Sequence, residues 1–304
     1  MERWEERLDF SEADVLDLSE RAGPDQPHPL QMWVMPLVVI TADDGVPVEL
    51  LPVGTGFCAG VGLIATAKHV VESALEKTRA ADGRSFYAMY QRARTASTPN
   101  WGIGLPIRMS HTNPATDLAI LEFVPSPRPD ARYYQRPLTF RDPAPGTQVL
   151  ALGYPEMTSE VNENSLTLNR RLVAAQGVVE EVRHDARDQT FSYFPAIQAD
   201  FPSPSGMSGG PICDTQGNVV ALVSTAMEPL KDDSMRWCVT GALLAFLLAF
   251  NVEIDLDTGP RKASIHQLAT GGIVPTDGSH HAVRFSEKGT NIEFDLSRLW
   301  GQSS

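Results

Sequence analysis

The chain contains 304 residues, of which 42% are hydrophobic and 21% are charged, and its formal net charge at pH 7 is −13. Such a composition is ordinary for a folded globular protein, and the length suggests about two domains. The acidic balance argues against nucleic acid or an anionic membrane surface as the main partner.

The N-terminal sequence and the cysteine content bear on cellular location. Met1–Glu6 is charged and lacks the apolar core of a secretory signal. The only comparable apolar run, Val239–Phe250, is too short to span a bilayer. The three cysteines, at positions 58, 213 and 238, are an odd number, which favours a reducing compartment. We therefore expect a cytoplasmic protein that does not associate with membranes.

Residues 1–30 differ from the rest of the chain and form a predicted N-terminal extension. Ser11 with Asp14 makes a capping-box pattern, and Gly23-Pro24 is a stop signal. These signals predict a helix over about 12–22, whose apolar side would pack on the rest of the chain or on a partner.

From residue 31 the pattern changes to short segments rich in Val, Ile and aromatic residues, separated by turn signals. Proline-rich residues 125–137 divide these segments into two groups, and a helix is expected over 241–250. Residues 251–304 form a C-terminal extension of unassigned role, with two further strands expected at 282–285 and 292–296; we expect it to pack on the preceding domain. The other predicted strands are 32–40, 53–58, 61–66, 85–90, 105–109, 118–124, 148–152, 171–183, 191–199, 210–213, 219–225 and 235–240.

A glycine-lined turn around position 208 has no obvious packing role. Glycines at positions 206, 209 and 210 permit backbone angles closed to other residues and allow a substrate to approach the main chain. Ser208 is therefore a candidate nucleophile. A serine hydroxyl is a weak nucleophile at neutral pH, so it needs a histidine base, a group that orients the base, and donors for the oxyanion.

Two upstream segments can supply the base and its orienting group. His69 follows the apolar run Val61–Ala65, where a buried strand ends and a helix over about 69–80 can begin. Asp117 stands at the head of the apolar strand Leu118–Phe123, where a half-buried carboxylate can reach another side chain. The chain order His, Asp, Ser is that of the chymotrypsin type of triad.

The segments TAKH, TDLAIL and GMSGGP, which contain His69, Asp117 and Ser208, resemble the three motifs of the trypsin-like (chymotrypsin-fold) serine peptidases. Ile197–Asp200 and Gly217–Val220 resemble segments of the bacterial HtrA-like branch. The likeness covers about residues 31–250. It implies an all-β fold of two antiparallel six-stranded barrels, over about 31–125 and 138–250, with a short N-terminal helix and a C-terminal helix.

The same resemblance implies a role for each site residue. His69 would be the general base, Asp117 would orient it, and Ser208 would attack the substrate. The backbone amides of Gly206 and Ser208 would form the oxyanion hole. No cofactor and no metal ion are implied. Ser224 would lie near the buried aspartate and support it, and the segment Ser224, Thr225 and Ala226 would pair with an extended substrate.

Two departures from the family pattern qualify this interpretation. Met207 stands where secreted trypsin-like enzymes have aspartate and HtrA-like ones usually have asparagine, so a new amino terminus cannot order the loop by an ion pair there. Other contacts must do so, with an activating protein partner as one candidate. The C-terminal extension is also too short for the peptide-binding PDZ domain that often follows HtrA-like peptidases. No acidic residue stands at the base of the expected specificity pocket, which predicts a small or medium apolar side chain before the cut.

Two rival functions compete with this hypothesis. The turn at Ser208 also fits the nucleophile elbow of an α/β-hydrolase-type esterase, but an elbow needs a helix directly after the serine, and Gly209–Gly217 predicts a strand and a turn. The second rival is a catalytically silent module that binds extended peptides by strand addition. The sequence therefore predicts a regulated, cytoplasmic, bacterial serine endopeptidase acting on a protein or peptide, without nucleic-acid or membrane partners.

Overall fold

The structure is a computed structural model, and it describes residues 15–21, 28–44, 46–91, 102–123, 125, 133–162, 165–184, 194–228, 237–256, 259–285 and 292–294. In chain order the strands are β1 (Val15–Asp17), β2 (Val34–Asp43), β3 (Val46–Gly60), β4 (Leu63–Ala67), β5 (Arg84–Gln91), β6 (Gly102–Thr112), β7 (Leu118–Phe123), β8 (Gln148–Gly153), β9 (Thr158–Asn162), β10 (Ser165–Asn169), β11 (Val173–Arg183), β12 (Ala196–Ala199), β13 (Pro211–Asp214), β14 (Val219–Met227), β15 (Cys238–Leu243), β16 (Asn251–Leu256), β17 (Gly259–Ser264), β18 (Val283–Phe285) and β19 (Ile292–Phe294). The α-helices are α1 (Leu18–Arg21), α2 (Lys68–Arg79) and α3 (Ile265–Thr270), and 3₁₀ helices cover Pro29–Met32, Leu244–Ala249 and Ser279–Ala282.

Six strands of the N-terminal half close into the first barrel. They pair in the order β2-β3-β4-β7-β6-β5, and β5 pairs back with β2. Two register shifts along the β2–β3 pair mark bulges, which raise the local twist that closure of a barrel requires. Helix α2 follows β4 directly and packs on this barrel through its buried residues, Val70, Val71 and Ala74.

The second barrel is built from β8, β11, β12, β15, β14 and β13. These strands pair in that order and β13 pairs back with β8, so the ring is complete. Alternate side chains on its strands form a separate apolar core that includes Val149, Ala151, Ile197 and Ile212. The prediction of two antiparallel six-stranded barrels is therefore confirmed.

The N-terminal extension differs from its prediction. Within the predicted helix over 12–22, Val15–Asp17 form a strand that pairs with β11, and helix α1 begins only at Leu18. The reason is tertiary. Residues 173–175 of β11 pair with β8 on one side and leave the other side open, so pairing with β1 outweighs the local capping signal. Residues 12–14 and 22 lie outside the described residues.

The predicted C-terminal helix over 241–250 is also different. Residues 241–243 continue β15, and Leu244–Ala249 form a 3₁₀ helix rather than an α-helix. Gly241 pairs with Ile197 of β12, and a side chain there would come within 2.7 Å of Ile212 and 2.9 Å of Ile197. The glycine thus fits the tightly packed centre of a sheet.

Residues 251–256 and 259–285 pack on the first barrel and on the segment that joins the two barrels. The backbone amide of Glu253 in β16 donates to the buried Glu122 carboxylate on β7 at 2.7 Å. Leu138 exchanges backbone hydrogen bonds with Pro275 and Asp277. Strands β18 and β19 pair with each other in the two regions where strands were expected. In the part of the chain that the structure describes, no helix has the length and apolar character needed to cross a bilayer.

Candidate active site

Two neighbouring strands of the first barrel bring His69 and Asp117 together. His69 lies in the first turn of α2, immediately after β4, and Asp117 immediately precedes β7. Because β4 and β7 pair with Ala67 opposite Leu118, the residues that flank this pair meet at one end of the barrel. His69 Nδ1 lies 2.9 Å from Asp117 Oδ2, and the backbone amide of His69 donates to Oδ1 at 3.0 Å.

The Asp117 carboxylate is buried, with only 4% of the residue exposed, and it accepts a third hydrogen bond. Ser224 Oγ donates to Asp117 Oδ2 at 2.5 Å. Since a carboxylate oxygen only accepts, Nδ1 of His69 is the donor in their contact, which leaves Nε2 of the neutral ring as an acceptor. The His69 side chain is 42% exposed, so this acceptor can be reached from solvent.

Ser208 lies in the turn between β12 and β13, on the second barrel. Its Oγ donates to the backbone carbonyl of Ser224 at 3.1 Å. Among the described residues it makes no hydrogen bond with His69. Ser224 therefore contacts both other groups: its hydroxyl holds Asp117 and its carbonyl holds the Ser208 hydroxyl.

The loop before Ser208 is held by a backbone hydrogen bond from the segment between β8 and β9. The Ser205 carbonyl accepts a hydrogen bond from the Glu156 amide at 2.9 Å. In a trans peptide the carbonyl and the amide of the same unit point in opposite directions, so the Gly206 N–H points away from Glu156. Within the described residues, neither the Gly206 amide nor the Ser208 amide has an acceptor. Both donors are thus available to a ligand.

Glycine is required at position 206 by both conformation and space. Its φ angle is +102°, in the region that favours glycine. A Cβ at this position would lie 2.5 Å from the Tyr154 carbonyl oxygen.

Met207 orders this loop by burial rather than by an ion pair. The residue is fully buried and belongs to the core of the second barrel. A Cβ placed on Gly153 would lie 3.1 Å from both Cβ and Cγ of Met207, so the methionine packs directly against the β8 backbone. The departure from the family pattern at this position is therefore matched by an apolar contact that holds the loop.

Ser224, Thr225 and Ala226 continue β14 past the point where β13 stops pairing with it. β13 pairs with β14 only as far as Leu222, whereas Thr225 and Ala226 pair on their other side with β15. In the described part of the chain, this stretch of β14 has one edge without a strand beside it. Ser224 itself is buried and Ala226 is exposed.

Other histidines of the described chain have separate partners. His111 lies on β6, and its Nε2 is 2.7 Å from the carboxylate of Glu122. His280 is buried, and its Nδ1 forms a hydrogen bond with Thr276 Oγ, not with His69, Asp117 or Ser208. Among the described residues, no group of three or more His, Cys, Asp or Glu side chains could hold a metal ion.

Two residues of the site were not singled out on the sequence. Glu156, with a φ angle of +51°, presents its amide to Ser205, and Thr55 of β3 contacts the backbone on both sides of Met207. Both act through backbone contacts formed in the fold, and their local sequence carries no motif that would predict this.

Two six-stranded antiparallel barrels, with a histidine, a carboxylate and a serine grouped at their junction, define the chymotrypsin-like class of proteins. Residues 54–222, more than half of the chain, match the family model described as the trypsin-like peptidase domain. The chain therefore belongs to the trypsin-like peptidase family, as its motifs predicted, and this membership supports a serine peptidase.

Several solved structures are similar to this chain at low identity. Deg5 is 21% identical with a TM-score of 0.44, over 64% of this chain and 80% of that one. The serine endoprotease from Yersinia pestis is 18% identical with a TM-score of 0.42, over 71% of this chain and 60% of that one. An inactive serine-to-alanine mutant of Rv3671c from M. tuberculosis H37Rv is 19% identical with a TM-score of 0.40, over 69% and 82%. No curated protein matches the chain significantly.

Proposed function

We propose that this protein is a serine endopeptidase that hydrolyses peptide bonds through His69, Asp117 and Ser208. The observation that carries the proposal is the His69–Asp117 pair, fixed by two hydrogen bonds and grouped with Ser208 through Ser224. In the part of the chain that the structure describes, two backbone amides of this loop, those of Gly206 and Ser208, have no acceptor. A nucleophile, a base, an orienting carboxylate and oxyanion donors are the parts that acyl transfer requires.

The first chemical step begins with a rotation of the Ser208 side chain. At rest its hydroxyl donates to the Ser224 carbonyl, and a turn about χ1 to another staggered rotamer would direct it toward Nε2 of His69. His69 then takes the hydroxyl proton as Oγ attacks the substrate carbonyl carbon. The Asp117 carboxylate keeps the proton on Nδ1 and stabilises the imidazolium that forms.

The tetrahedral intermediate places negative charge on the former carbonyl oxygen of the substrate. The Gly206 and Ser208 amides donate to that oxygen, and each such donor is worth about 3–4 kcal/mol in the transition state. His69 returns its proton to the leaving amine as the C–N bond breaks. A water molecule, activated by the same imidazole, then hydrolyses the acyl-enzyme and restores Ser208.

The substrate in this proposal is an extended protein or peptide segment. The uncovered edge of β14 at Ser224, Thr225 and Ala226 offers backbone groups for strand addition beside Ser208. We further propose that the enzyme is bacterial and works in the cytoplasm as a regulated cutter of specific proteins, in the manner of an HtrA-like peptidase. The absence of disulfides among Cys58, Cys213 and Cys238 fits a reducing compartment.

A second candidate function is a catalytically silent module that binds extended peptides. The Ser208 hydroxyl bonded to the Ser224 carbonyl, and not to His69, favours it. The third possibility, an α/β-hydrolase-type esterase, is wrong because two barrels replace the parallel sheet and strand β13, not a helix, follows Ser208.

The test is digestion of an unfolded protein such as reduced casein by the full chain and by Ser208→Ala and His69→Ala variants. Each variant should lose at least about 10⁴-fold in turnover. Ser73→Ala and His184→Ala, two changes outside the site, serve as matched controls and should cleave at the native rate. Equal peptide binding by native and Ser208→Ala protein, without cleavage by either, would support the silent module instead.

A further inference from the structure

Thr55 joins the first barrel to the loop that carries Gly206 and Ser208. It lies on β3 and is fully buried. Its hydroxyl donates to the Gly206 carbonyl at 2.7 Å and accepts from the Tyr154 amide at 3.0 Å. Its own amide donates to the Ser208 carbonyl at 2.9 Å. One side chain of the first barrel thus bonds to two segments of the second.

The direction of the Thr55 hydroxyl proton follows from its two partners. A hydroxyl has one proton to donate, and a carbonyl oxygen can only accept. Because the Tyr154 amide is itself a donor to Oγ, the hydroxyl proton must point to the Gly206 carbonyl. Only this direction of the proton gives both partners a hydrogen bond, so the Thr55 hydroxyl is always the donor to the Gly206 carbonyl.

The peptide units on both sides of Gly206 are therefore held. The carbonyl before it, of Ser205, accepts from the Glu156 amide, and its own carbonyl accepts from Thr55 Oγ. A glycine at φ +102° has no side chain to restrict rotation of its neighbouring peptides. The two hydrogen bonds thus set the orientation of the Gly206 N–H.

We propose that Thr55 is a positioning residue for catalysis: its hydroxyl holds the Gly206 amide in the orientation that stabilises the oxyanion. The inference rests on the proposed peptidase function. Thr55 acts through Gly206 and does not touch the substrate. Thr55 and His69 both belong to the first barrel, whereas Gly206 belongs to the second. The contact therefore also fixes the position of the Gly206 amide relative to the His69 base.

This role has a kinetic signature that a purely structural role lacks. Negative charge develops on the substrate oxygen only in the transition state, so a misdirected Gly206 amide lowers kcat while KM changes little. Thr55→Val keeps the size and branching of the side chain but removes the hydroxyl. Thr55→Ser keeps the hydroxyl and should rescue. Thr139, another buried threonine, in the segment between the barrels, provides the control Thr139→Val.

The first experiment measures the rate of phosphonylation by a fluorophosphonate probe, together with kcat and KM on casein-derived peptides. We expect Thr55→Val to react at least tenfold more slowly, with KM within twofold of native. Thr55→Ser should stay within threefold of the native rate, and Thr139→Val should equal it. A Thr55→Val protein with native kcat, or one whose loss lies entirely in KM, would overturn the assignment.

A second experiment separates this inference from the proposed function. Amide hydrogen exchange of residues 204–210 can be followed by mass spectrometry whether or not the protein is active. Exchange in this segment should accelerate at least tenfold in Thr55→Val and remain native in Thr55→Ser and Thr139→Val. If native protein fails to react with the probe, the peptidase proposal fails, and amide exchange alone then tests whether Thr55 holds the loop. Unchanged exchange in Thr55→Val would refute that role.

Discussion

Substitution of Met207 tests whether apolar burial, and not an ion pair, orders the loop before Ser208. The residue is fully buried in the core of the second barrel and packs against the β8 backbone at Gly153. Met207→Ala would leave a cavity that this rigid strand cannot fill. Core Met→Ala changes cost about 2–5 kcal/mol, and we expect a value in the upper half of that range.

Met207→Leu is the matched control, because it nearly conserves volume and costs less than about 1.5 kcal/mol in well-packed cores. Urea unfolding, followed by the fluorescence of the five tryptophans, gives the free energy of unfolding of each variant. The rate of fluorophosphonate reaction, corrected for the folded fraction, reports the loop itself. We expect this rate to fall at least tenfold in Met207→Ala and to remain near native in Met207→Leu. A Met207→Ala protein with native stability and native reactivity would refute the role given to this contact.

Three further outcomes are expected. Ser224→Ala removes a hydrogen bond to the Asp117 carboxylate, and such a bond to a charged acceptor is worth about 1.5–3 kcal/mol. We therefore expect kcat/KM on peptides to fall roughly tenfold to a hundredfold. An unchanged kcat/KM would exclude a role for Ser224 in supporting Asp117. Cys58 and Cys213 are buried, and burial raises the pKa of Cys58 to about 12. Native protein at pH 8 should therefore take up maleimide at Cys238 alone, because the thiolate is the reactive form. Denatured protein should take it up at all three thiols, and intact mass gives the number of adducts. Burial, and then the neighbouring imidazoles, lower the pKa of His280 in the folded protein, so the unfolded chain binds the proton more readily. The free energy of unfolding should therefore fall as the pH drops below about 6.5. Over the same pH range, the urea midpoint of His280→Gln should fall less than that of native protein.

The site residues could be predicted because their signals are local. His69 and Asp117 stand at the ends of short apolar strands, and Ser208 stands between glycines that only a special turn requires. Strand ends and turn residues are readable without a fold, since burial and backbone angles restrict the amino acids allowed there. The succession of short apolar segments likewise predicted most barrel strands. Strands β3 and β6 are longer than the predicted strands over 53–58 and 105–109.

The parts that were missed depend on contacts between distant positions. Thr55 and Gly206 are 151 residues apart, and no local pattern reports a hydrogen bond across that separation. The capping signal near residue 11 predicted a helix over residues that include β1. A strand forms there instead, because the open edge of β11 offers stronger pairing. The β9–β10 and β16–β17 hairpins were not predicted either; β9 is steadied by a hydrogen bond from Ser159 to Leu50 of β3.

The most direct test of the triad is intact mass after treatment with a fluorophosphonate serine-hydrolase probe. Native protein, Ser208→Ala and His69→Ala are compared, with Ser73→Ala as the control serine. A single adduct on native and control protein, lost in both site variants, is the predicted result. An adduct that persists in Ser208→Ala, or its absence from native protein, would contradict the assignment of Ser208 as a nucleophile activated by His69.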